Sequence, residues 1–111
     1  MHPATILFPS YEGDPLIYCE RHSGVLREAT IYCERKGGLM SMLGLTFGLT
    51  PTVILYPESL QRWEPPHDAL PFTEEEKARV LRAIALIVSH QGYTVKFKLF
   101  GEGGFIAPPY G

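Results

Sequence analysis

Residues 73–92 read TEEEKARVLRAIALIVSHQG, and this stretch decides the fold. Thr73 can cap a helix, with Glu76 completing a capping box three residues on. Glu74, Glu75 and Glu76 complement the positive end of the helix dipole. Val80, Leu81, Ile84, Ile87 and Val88 recur at helical spacing and form one apolar stripe. Glu75 and Arg79 stand at the i, i+4 spacing of an ion pair. His90 suits the negative end of the dipole, and Gly92 sits where a left-handed residue closes a helix. The spacing predicts one helix over about Glu74–Gln91.

Outward from this helix the pattern changes period. From Tyr93 to Phe100 the residues alternate: Tyr93, Val95, Phe97 and Leu99 on one side, Thr94, Lys96 and Lys98 on the other. That is a strand, its lysines marking an exposed face or a guarded edge. Before the helix, Thr52–Tyr56 is nearly all apolar and reads as a central strand covered on both faces. Pro57–Trp63 fits a single helical turn with Pro57 near its start, and Leu60 and Trp63 share a side. Pro65-Pro66 ends it.

Further strands are predicted at Ala4–Phe8, Leu16–Arg21, Glu28–Arg35 and Leu39–Phe47, separated by Gly and Pro turn signals. Ile17-Tyr18-Cys19-Glu20-Arg21 recurs as Ile31-Tyr32-Cys33-Glu34-Arg35. Two copies are too few for a solenoid. They read as two similar strands of one sheet, with Ile and Cys facing the core and Tyr and Glu facing out. Strands, one long helix and a returning strand make an α+β fold: an antiparallel or mixed β-sheet packed on one long C-terminal α-helix. Residues 1–100 are expected to form a single domain, with 101–111 a Gly/Pro-rich flexible tail.

The chain has 111 residues, 45% of them apolar, enough for one core without disulfides or metal. Its formal charge is −2, and it has no basic run of the kind that displaces counterions from phosphates. Nucleic acid is therefore not an expected partner. Leu39–Tyr56 carries no charge, but Gly44, Gly48, Pro51 and several hydroxyl residues argue against a membrane helix. Met1-His2-Pro3 has no basic region and the apolar run after it is short, so no export signal is expected. Cys19 and Cys33 then read as reduced, buried thiols of a cytoplasmic protein.

Candidate chemistry is thin. Cys19, His22 and Cys33 offer three metal ligands from one close pair and a distant residue, whereas a structural zinc site wants four. Neither Cys stands at a helix N-terminus, where a thiol becomes a nucleophile. Glu20 and Glu34 hold equivalent places in the echo, but arginines beside them suggest solvated ion pairs. Gly101-x-Gly103-Gly104 precedes no helix, so it is no dinucleotide fingerprint. No catalytic residue, cofactor or metal is expected. Trp63 is a core plug ahead of an interface anchor.

From Thr52 to Lys98 the chain resembles the immunity protein 74 family of bacterial polymorphic-toxin systems. The resemblance is carried by Tyr56, Ser59, Leu60, Trp63, Pro65 and Pro66, then by the helix opening Thr73-Glu74-Glu75-Glu76 and the strand Tyr93-Thr94-Val95-Lys96-Phe97. It implies a small non-catalytic protein that neutralises a cognate toxin by binding it. Tyr56, Ser59, Trp63 and Pro66 are the motif residues, for partner binding or for structure. A monomer or weak homodimer is expected. Two other readings stand beside it: a small enzyme or metal-binding domain using Cys19, His22 and Cys33, and a self-associating scaffold using the Lys96/Lys98 strand or Leu39–Thr50.

Overall fold

Thr73 caps the helix as the sequence predicts: its hydroxyl accepts the Glu76 N–H at 3.1 Å. The helix, α1, runs Glu74–His90, and Gly92 closes it at φ +95°. The computed structural model describes the backbone of residues 4–7, 15–36, 39–42, 45–48 and 51–110, and side chains within 15–36 and 51–110. The strands are β1 (Ala4–Leu7), β2 (Leu16–His22), β3 (Val25–Ile31), β4 (Cys33–Lys36), β5 (Leu39–Met42), β6 (Leu45–Gly48), β7 (Thr52–Leu55), β8 (Thr94–Lys98) and β9 (Phe105–Ile106).

These form an antiparallel sheet in the order β1-β2-β3, a mixed sheet in the order β4-β7-β8-β9, and a β5-β6 pair. Strands β7 and β8 are parallel, with α1 as the crossover between them. Val80, Leu81, Ile84 and Val88 from α1 meet Leu16, Tyr18 and Ile31 of the first sheet and Val53, Leu55 and Phe97 of the second in one core. The class is α+β, and the final long strand returns to the sheet as predicted. Strand β7 is central, with Val53, Ile54 and Leu55 all buried.

Several local expectations are corrected. Glu28–Arg35 is not one strand. The ladder breaks at Tyr32, where the chain passes from the first sheet to the second. Leu39–Phe47 is not one strand either, because Leu39–Met42 and Leu45–Gly48 pair with each other. Lys96 and Lys98 do not guard an edge, since β8 is flanked by β7 and β9; they mark the sheet's outer face. Arg79 turns to Glu76 and Glu20 rather than to Glu75.

The echoed pentapeptide lies in two sheets, not one. In β2 the Tyr18 and Glu20 side chains turn inward, opposite to the expectation, because Glu20 meets two arginines there. In the second copy Ile31 and Cys33 turn inward, as expected. The stretch from Gly101, read above as a tail, contributes β9. Beyond it the Tyr110 ring stands edge-on to Phe97 at 5.6 Å, and Arg82 donates to the Tyr110 carbonyl at 3.1 Å.

Candidate partner-binding face

The motif residues build an excursion in the sheet. Cys33 faces Leu55 and Ala29 faces Trp63, so the four-residue step from Ala29 to Cys33 is matched by an eight-residue step from Leu55 to Trp63. The surplus is taken up by a 3-10 turn at Pro57–Ser59, with Pro57 at its start. Ser59 repairs the ladder: its hydroxyl accepts the Tyr32 N–H at 2.7 Å and donates to the Tyr56 carbonyl at 2.6 Å. On the far side the Glu64 N–H donates to the Glu28 carbonyl at 2.7 Å, beside the isolated Ala29–Trp63 bridge.

Leu60 and Trp63 anchor the excursion, both fully buried as their shared side predicted. The Trp63 ring lies edge-on to Phe72 at 5.3 Å, with the Arg27 guanidinium 4.0 Å from its centre. Trp63 is thus the core plug the sequence suggested. Tyr56 is buried as well, and its hydroxyl donates to the Glu34 carboxylate. That hydrogen bond, with burial, pushes the Tyr56 phenol up to about 12. Pro66 is exposed and follows a cis Pro65-Pro66 bond.

Between the buried Pro57, Leu60 and Trp63, the residues Glu58, Gln61 and Arg62 are exposed. Ala29 and Ile31 face the core, so Glu28, Thr30 and Tyr32 turn to the outer face, joined by Arg62 and Glu64 on either side of Trp63. A groove of ≈ 380 Å³ opens there, lined by Thr30, Tyr32, Ser59, Gln61, Arg62 and Glu64. Tyr32 continues it into an aromatic cluster. Its ring lies 5.1 Å from Tyr56 and 5.9 Å from Phe100, and Phe100 stacks on Tyr56 at 4.9 Å. Glu58 accepts the Phe100 N–H at 2.7 Å. Phe100 nevertheless remains 51% exposed.

A second polar constellation ties the first sheet to the helix. Glu20, expected as a solvated surface residue, is only 5% exposed. It accepts from Tyr18 at 2.7 Å, from Arg27 at 2.8 Å, and from Arg79 at 2.9 and 3.0 Å. Arg27 and Arg79 also reach Glu76, at 2.9 and 2.7 Å. Burial pushes the Glu20 carboxyl up. The hydrogen bonds from Arg79, Tyr18 and Arg27 outweigh that and leave its pKa at about 2. Burial, and then Glu20 itself, raises Tyr18 above the usual phenol value. A carboxylate so ionised and so fully engaged is a strut between elements; it has no oxygen left to abstract a proton.

Cys19, His22 and Cys33 are not gathered at one point. Cys19 lies in β2, His22 at the exposed end of that strand, and Cys33 in the other sheet. Both cysteines are buried without a disulfide, and burial pushes the Cys33 thiol up, away from a reactive thiolate. Among the described residues no group of three His, Cys, Asp or Glu side chains could hold a metal ion. No helix among them is long and apolar enough to cross a membrane. The Leu39–Thr50 side chains, on which the scaffold reading partly rested, lie outside the described residues.

The excursion, the helix and the returning strand lie in the segment that a family model matches. Residues 47–98 match the family model of immunity protein 74. The match covers a little under half of the chain, from β6 through β8, and includes all four motif residues. No curated protein and no solved structure matches the chain. The motif's spacing pointed to the right segment of sequence. It did not show that Tyr56, Leu60 and Trp63 are internal, nor that Phe100, Gln61, Arg62 and Glu64 surround them at the surface. The signal for the last three was that polar residues fill the positions between and after the anchors Leu60 and Trp63.

Proposed function

We propose that this chain is a cytoplasmic immunity protein that binds a cognate bacterial toxin and blocks it, acting by association and not by catalysis. The observation that carries the reading is the family match over residues 47–98. The geometry supports it in kind: the outer face presents a groove of mixed polar and apolar lining beside a half-exposed aromatic ring, a combination suited to a protein interface. The protein works as a monomer or weak homodimer and needs neither cofactor nor nucleic acid.

The test is protection. Cells expressing the toxin domain of a polymorphic-toxin protein from the same host are grown with and without this chain, and the two proteins are then mixed in purified form. Restored growth and a 1:1 complex in sedimentation are expected. Continued killing, with this chain folded and abundant, would remove the reading.

A further inference from the structure

We propose that the excursion between Tyr56 and Glu64 is the recognition element for the toxin, and that its groove takes a basic, extended loop of that partner. The inference rests on the function proposed above and names the surface that performs it.

Three observations converge. First, the excursion is built to hold its shape. Pro57, Leu60 and Trp63 are buried at three-residue intervals, Ser59 bonds both neighbouring backbones, and Glu58, Gln61 and Arg62 stand out between them. A sheet irregularity so braced re-aims side chains, and a preorganised surface loses little entropy on binding. Second, the groove beside it carries polar groups on a partly apolar lining: hydroxyls from Thr30, Tyr32 and Ser59, an amide from Gln61, and the charges of Arg62 and Glu64. It continues into Tyr32 and Phe100, an aromatic anchor at one end.

Third, the charge at the other end is unbalanced. Glu28 and Glu64 stand opposite each other on the outer face, joined by the Glu64 N–H to Glu28 carbonyl bond. Like charges directly opposite across a ladder repel. Among the described residues neither carboxylate has an ion-pair partner, since the five ion pairs lie elsewhere. A lysine or arginine entering along the groove would lie between them and relieve that repulsion. Arg62, two residues from Glu64 and lining the same groove, offsets one of the two carboxylates and leaves a net negative charge there for a basic loop to meet.

The experiment uses the full chain and the same purified toxin domain, with affinity measured by calorimetry at low and high salt. Glu28→Lys with Glu64→Lys should keep the wild-type melting temperature and weaken binding at least tenfold. Phe100→Ala should weaken it to a comparable extent. Leu86→Asp, on the exposed side of α1, should leave affinity within twofold. Wild-type affinity should fall as salt rises, and the double variant should lose most of that dependence. A folded double variant that binds within twofold of wild type would overturn this inference and leave the immunity reading standing. A wild-type chain that does not bind the toxin at all would overturn both.

Discussion

Ser59 stands in for a strand at Tyr32: its hydroxyl accepts the Tyr32 N–H at 2.7 Å, where a regular ladder would supply a backbone carbonyl. One hydroxyl thereby lets a four-residue surplus leave the sheet without orphaning the donor beside it. Removing it leaves a part-buried N–H unsatisfied, which costs about 1–3 kcal/mol. Ser59→Ala should lower stability by about that amount in urea unfolding. A change below about 0.5 kcal/mol would mean that water replaces the hydroxyl.

The same logic separates anchors from displayed residues. Leu60→Ala empties a fully buried site and should cost about 2–5 kcal/mol. Gln61→Ala and Arg62→Ala, at exposed positions next to it, should stay within about 0.5 kcal/mol of wild type. Equal losses at all three positions would contradict the alternation described for the excursion.

Glu20 gives the fold an acid limit. Its pKa in the folded protein, about 2, lies below the ordinary 4.5. The stability it contributes is therefore complete above pH 4.5 and is lost as pH falls toward 2. The shift corresponds to about 3 kcal/mol at most. Arg79 is half exposed, and solvent screening reduces this to about 2 kcal/mol. Glu20→Gln should lower stability at neutral pH, and its deficit relative to wild type should shrink between pH 4.5 and 2. A deficit that stays constant with pH would rule out the ion pairs as its source.

At the helix start Thr73→Ala removes the acceptor for the Glu76 N–H and should cost about 1 kcal/mol. Thr73→Asp should restore most of it. Thermal unfolding of the two variants reads this directly. Equal melting temperatures for the alanine and aspartate variants would show that the cap contributes nothing.

Much of the fold was legible because its signals are local. Thr73, the apolar stripe and Gly92 each report on neighbours within a turn, and the helix emerged with nearly the predicted bounds. Val53–Leu55 announced a buried strand by composition alone. What stayed hidden depends on partners far along the chain. The break at Tyr32 is set by Ser59, 27 residues away. The inward turn of Glu20 is set by Arg79, 59 residues away. Neither period nor propensity contains those distances. The candidate face was legible only as a motif: Tyr56, Ser59, Leu60 and Trp63 marked the place, and the burial of Tyr56, Leu60 and Trp63 moved the accessible chemistry to the residues around them.

The echoed pentapeptide has a practical meaning for mutagenesis. Tyr18 is inside and Tyr32 is on the rim of a groove, although the same five letters surround both. Matching substitutions in the two copies are therefore different experiments. Tyr18→Ala hollows the centre and strips a donor from Glu20, while Tyr32→Ala reshapes a surface and spares the interior. The word is repeated, but its grammar is inverted.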